Sequence, residues 1–140
     1  MNAKCRMSVC CALGLIAGLS VLMAGCATGL LARTPPSYQL SDVEGTWSWM
    51  QNPWYGEFVL KRDGDTCGGT LHDAYEGTYG DQIENVTVAG NHIKFTRVGQ
   101  YGVQQWEGIL KKEKGVLKII DGRWTKVGRS SGAFTAEKKK

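Results

Sequence analysis

The chain has 140 residues, room for one folded domain once its apolar first quarter is set aside. From Cys26 onward it carries 15 basic and 13 acidic residues, a net of +2 that is too small for a nucleic-acid binder. Of five cysteines only Cys26 and Cys67 lie beyond the apolar start, which excludes a disulfide-stapled scaffold.

Lys4 and Arg6 form a short positive region ahead of Val9–Met23, an uncharged apolar stretch with the length of a signal-peptide core, so export is expected. Leu22-Met23-Ala24-Gly25-Cys26 follows directly and resembles the lipobox of bacterial lipoproteins. The resemblance implies that residues 1–25 are a signal peptide and that Cys26 becomes the first mature residue, bearing a thioether-linked diacylglycerol and an acyl chain such as palmitate on its amine. A thiol is the nucleophile such a transfer needs, and small Ala24 and Gly25 leave the backbone open to a peptidase. Two or more acyl chains give stable anchoring where one gives marginal binding. Ala27 stands where an Asp would retain such a protein at the inner membrane, so the resemblance points to the periplasmic face of the outer membrane. The competing reading is an uncleaved transmembrane helix, since Met7–Ala32 is an uncharged run of 26 residues. Either way the membrane is the first expected partner, reached through the N-terminus.

Residues 26–39 include Thr34-Pro35-Pro36-Ser37 and read as a spacer, with the folded domain spanning 40–140. No segment there sustains the apolar spacing of an amphipathic helix; turn signals recur instead about every seven to twelve residues. The expected strands are Gly45–Met50, Gly56–Arg62, Thr66–Asp73, Gly77–Tyr79, Ile83–Val88, His92–Val98, Val103–Lys111, Val116–Trp124 and Gly132–Glu137. Their short connections predict hairpins between sequential strands. Phe58 and Leu60 alternate with charged neighbours, as do Ile93 and Phe95, Trp106 and Leu110, and Leu117 and Ile119, giving every strand one apolar face. Glycine precedes a large apolar residue by two positions in Gly45-Thr-Trp47, Gly56-Glu-Phe58, Gly122-Arg-Trp124, Gly132-Ala-Phe134 and four further places. Such glycines let a strand bend while a neighbouring aromatic covers the gap, so the fold expected is all-β: a small antiparallel up-and-down barrel of about eight strands. Tyr38–Asn85 holds two basic and nine acidic residues and Val86–Glu137 nine and four, a contrast that reads as mutual surface attraction between adjoining halves in preference to a patch for a charged partner.

Gly45-Thr46-Trp47 at the head of this meander resembles the calycin superfamily, the lipocalin and avidin group of barrels. In lipocalins the Trp sits at the closed base against a late basic side chain, a part the resemblance gives to Arg123 or Lys126. The T-D-Y motif is absent, and Leu71 and Asp73 stand where biotin binders carry hydroxyls, so biotin is not expected.

The densest aromatic stretch supplies the candidate site. Trp47 and Trp49 share a face, while Trp54 and Tyr55 follow Pro53 in an expected loop, either as flat surfaces for a ligand or as a plug over the barrel end. Trp49, Trp54 and Tyr55 are taken as the ligand-binding residues, with Trp106 and Trp124 as walls. Asp63-Gly64-Asp65 lacks the later oxygen ligands of a calcium loop and reads as a hairpin turn. His72 and His92 have no third ligand at metal spacing, and Ser130-Ser131 has no visible base. No acid and base carboxylate pair stands out. Cys67 reads as a small buried residue and Lys138-Lys139-Lys140 as a solvated tail. The expected function is a non-catalytic, cofactor-free binding module for a small apolar or carbohydrate ligand. The alternative is a filled barrel docking another envelope protein. A cavity above about 300 Å³ would favour the former.

Overall fold

Period-two alternation gives each strand one dry face, and eight dry faces are all buried at once only if the sheet closes on itself. The computed structural model describes residues 34–140 except 127 and 129; the expected signal peptide and Cys26 lie outside the described residues. After a one-turn helix α1 (Leu40–Val43) come β1 (Gly45–Gln51), β2 (Trp54–Asp63), β3 (Thr66–Asp73), β4 (Thr78–Ala89), β5 (His92–Gly99), β6 (Gly102–Glu113), β7 (Val116–Lys126) and β8 (Ser130–Lys138). Each strand pairs antiparallel with the one before it, and β8 returns to β1 to close an eight-stranded up-and-down barrel.

The expected pieces Gly77–Tyr79 and Ile83–Val88 merge into one strand that begins at Thr78 and leaves Gly77 in the turn before it. Gly80 has φ 83° where the register to β3 shifts between Leu71↔Asp81 and Asp73↔Thr78, a bulge that bends the ladder without ending it. Helix α1 was not anticipated, because one turn is too short to show a period. The Gln39 backbone N–H donates to Asp42 Oδ2 at 2.8 Å, steadying that turn, and Val43 is pressed fully buried under the barrel. Its carbonyl accepts the Trp47 indole N–H at 2.8 Å, so α1 both plugs the base and satisfies a buried donor.

Above this plug the core is aromatic. Trp47 stacks on Phe58 with centroids 5.7 Å apart and planes 11° from parallel, Phe58 meets Phe95 at 5.7 Å, and Phe95 meets Trp106 at 5.7 Å. Trp47 thus occupies the closed base, but neither Arg123 nor Lys126 reaches it. Arg123 points outward and is exposed, and Lys126 lies at the other end of the barrel. The basic neighbour is Lys138, in register with Trp47 on β8, whose Nζ donates to Asp42 O at 2.7 Å. The C-terminal lysines are correspondingly not all a free tail: the Lys139 backbone N–H donates to Thr46 O at 2.8 Å, and its ammonium pairs with Glu57.

Closure needs curvature. A Cβ at Gly56 would stand 1.9 Å from His72 O and 2.9 Å from Trp49 Nε1, and one at Gly132 would stand 2.6 Å from Trp124 Nε1. Aromatic rings therefore fill the space these glycines leave, as the repeated motif predicts. Gly77 and Gly115 of the same motif instead sit in turns with positive φ. Bulges complete the corners, with Asn85 in β4 and Asp121 in β7 at φ 55° and 51° where the registers shift.

Candidate functional site

Because the meander is strictly antiparallel, the β1–β2, β3–β4, β5–β6 and β7–β8 turns all gather at the end opposite α1. That end is not filled. A cavity of about 230 Å³ opens between the strand ends, walled by Trp49, Trp54, Trp106 and Trp124. Four of the five residues expected from the sequence are therefore brought together. Tyr55 is not: Trp54 and Tyr55 open β2 instead of lying in a loop, so strand alternation turns Trp54 toward the cavity and leaves Tyr55 about half exposed outside. Trp49 and Trp106 form the buried floor, edge to face with centroids 5.6 Å apart.

Every indole N–H around the cavity is spent within the protein. Trp49 donates to His72 O at 3.3 Å, Trp54 to Glu76 Oε1 at 2.9 Å, Trp106 to Gln104 Oε1 at 3.1 Å, and Trp124 to Gln51 Oε1. These bonds lock the rings in place and leave them apolar surface to offer, with polar recognition falling to other groups.

Those groups escaped the sequence reading. Arg97, Asp81, Asp73 and Gln104 are all at least nine-tenths buried, and all but Asp81 line the cavity. Arg97 Nε donates to Asp81 Oδ2 at 2.7 Å and its Nη2 lies 2.6 Å from the same oxygen, while Asp73 Oδ2 is 3.9 Å from Nη2. The guanidinium also lies 6.0 Å from the Trp106 ring centroid and 5.8 Å from that of Tyr101. Asp73 Oδ1 accepts the backbone N–H groups of Tyr75 and Glu76 at 3.2 and 3.3 Å, ordering the β3–β4 turn that carries Glu76 to Trp54. The signal was present in the parity: Arg97 continues the inward series Ile93, Phe95; Asp73 follows Leu71; Gln104 precedes Trp106. Charge argued for water and phase argued for the interior, and phase won because Arg97 and Asp81 bury each other.

No family model matches this chain, nor does any curated protein or solved structure. The site's chemistry must therefore be read from its own atoms.

Elsewhere, a second hollow of about 360 Å³ lies at the closed end against Tyr38, Asp42, Lys112 and the C-terminal lysines. It is larger, but Val116 and Leu117 are its main apolar walls, and its charged groups sit at the surface. Asp63-Gly64-Asp65 is a hairpin turn between β2 and β3, closed by Thr66 Oγ1 donating to Asp63 O at 2.8 Å. Among the described residues no three His, Cys, Asp or Glu side chains gather as metal ligands. Cys67 is buried and free, and burial, followed by the nearby Glu44 carboxylate, pushes its thiol pKa up.

Proposed function

We propose that this chain is a lipid-anchored lipoprotein of the cell envelope whose barrel is a non-catalytic binding module for one small ligand, seated between Trp49, Trp54, Trp106 and Trp124. The observation that carries the reading is the half-filled barrel: solid aromatic packing below, and above it a cavity of about 230 Å³ with locked rings and buried polar side chains. That volume falls short of the roughly 300 Å³ expected of a ligand carrier, so the reading rests on the lining and not on size; it still exceeds the roughly 150 Å³ that holds one benzene. It suits a ligand of one ring and argues against fatty acids and retinoids. The lipobox-like Leu22–Cys26 supports an anchor on Cys26, with Ala27 favouring the outer membrane. Tyr38 joins the barrel at the closed end, its N–H donating to Gly90 O at 2.8 Å, so the mouth lies at the end away from the incoming linker.

A second reading, a docking protein for an envelope partner, draws support from Met50 and Tyr55, register partners exposed side by side on the outer face. Titration of the full chain with single-ring ligands, followed by tryptophan fluorescence, separates the two. Saturable change lost in Trp54→Ala supports the binding module. Silence across the panel together with co-purification of an envelope protein supports docking. Intact-mass measurement of the native protein tests the anchor, which fails if Cys26 carries no added lipid.

A further inference from the structure

The cavity holds one polar group whose bonding is incomplete. Arg97 is 5 % exposed, and among the described residues its Nη2 finds no hydrogen-bond partner, although the Asp81 carboxylate lies 2.6 Å away. The reason is geometric: Nε already donates to that same Oδ2, leaving Nη2 beside the oxygen but poorly aligned with it. Asp73 Oδ2 stands 3.9 Å from Nη2, beyond hydrogen-bond distance. An oxygen about 2.8 Å from both atoms closes that gap, with an angle at the oxygen close to a right angle. It must accept from the guanidinium and donate to the carboxylate, and a hydroxyl does both. A ligand carboxylate cannot, because its oxygen would confront Asp73 without a proton between them. An ammonium cannot either, since it has no lone pair for Nη2.

The formal charges agree. Arg97 and Lys126 are set against Asp73 and Glu76 on the cavity wall, with Asp81 behind Arg97, two cations against three carboxylates, so an anion meets net repulsion there. Around this centre the indole N–H groups are already bonded, which leaves ring surface for the apolar C–H face of a cyclic ligand.

We propose that the cavity takes a neutral polyhydroxylated ring, a single sugar unit, with one hydroxyl bridging Arg97 Nη2 and Asp73 Oδ2. This rests on the reading of the cavity as a binding site and selects carbohydrate over apolar ligands. The test titrates the full chain in detergent micelles with D-glucose and N-acetyl-D-glucosamine, with D-glucuronate and D-glucosamine as charged counterparts, and with benzyl alcohol and benzoate as rings lacking the polyol. Fluorescence and calorimetry report binding. Saturable binding of a neutral sugar, with D-glucuronate about tenfold weaker or more and D-glucosamine no tighter than D-glucose, is the expected result. Asp73→Asn keeps an Oδ1 acceptor for the β3–β4 turn and replaces the bridging acceptor by a donor; it should weaken the sugar about tenfold with an unchanged circular-dichroism melt. Arg97→Met is the harsher companion, interpretable only if its melt stays cooperative, and so Asp73→Asn decides. Glucuronate binding as tightly as glucose, or sugar binding indifferent to Asp73→Asn, overturns the proposal. Benzyl alcohol or benzoate binding without any sugar overturns it while leaving the small-ligand reading intact, and silence from every probe overturns both.

Discussion

The two ends of the barrel are built from the same eight strands with the same inward parity, yet they reach opposite solutions. At the closed end the inward positions are Trp47, Phe58, Leu60, Ile93 and Ile119, all at most 1 % exposed, and α1 seals them. At the open end the same rows continue as Gln51, Asp73, Arg97 and Gln104 around a cavity, with Asp81 behind Arg97. Apolar side chains minimise free energy by excluding space, whereas buried charges must be held at fixed distances from partners, and side chains held in that way leave room between them. The closed end therefore supplies stability, and the open end holds the cavity proposed for recognition.

The largest effect should come from breaking the closed end. Phe58→Ala removes the ring between Trp47 and Phe95 and is expected to cost about 3–5 kcal/mol in chemical denaturation. Arg97→Met at the open end should cost a comparable amount, about 3–5 kcal/mol, by a different route, since it strands Asp81 and Asp73 as buried uncompensated carboxylates. The two mechanisms separate in the double substitution Arg97→Met with Asp81→Asn, which should recover part of the loss, whereas no polar second change rescues Phe58→Ala. Gly132→Ala drives a methyl against the Trp124 indole and should cost about 1–3 kcal/mol while changing the tryptophan emission, because the cavity wall itself must move. Trp54→Ala should be milder in stability, about 0.5–1.5 kcal/mol from its edge contact with Tyr75 at 6.0 Å, and severe in ligand response.

The smallest effect lies on the outer wall. The Glu113 carboxyl is held below the usual glutamate range, first by its hydrogen bond from Lys111 and then by that ammonium's charge, with Lys118 adding to it. A lowered folded-state value means the contribution is present above the ordinary glutamate pKa and is lost as pH falls through the lowered one. The Lys118 pKa is raised, chiefly by its hydrogen bond to Glu137, so its contribution is complete below the ordinary lysine value and fades as pH rises through the raised one. Thermal melts of Glu113→Gln should differ from the parent only slightly near neutral pH, and the difference should shrink with added salt.

Much of this contrast is legible in the residues, but unevenly. Alternation predicts the antiparallel barrel, and glycine spacing predicts where aromatics cover its bends, as Trp49 does at Gly56. Parity alone would also have turned Arg97 and Asp73 inward, yet a charged side chain in isolation argues for water, and only the partner 16 residues away, Asp81, reverses that argument. The acidic and basic halves likewise meet most consequentially inside the barrel, where Arg97 of β5 joins Asp73 of β3 and Asp81 of β4.

What the chain of residues determines unaided is local: strand phase, turn positions, the all-β class and an N-terminal segment with a lipobox-like cysteine. Tertiary structure alone decided that Tyr55 faces outward while Trp54 faces the cavity, that one helical turn plugs the base, and that Arg97, Asp73 and four tryptophans from four strands surround one space. The physical reason is closure. Which residues become neighbours across a barrel depends on how register and bulges accumulate around all eight strands, a sum that no single segment contains.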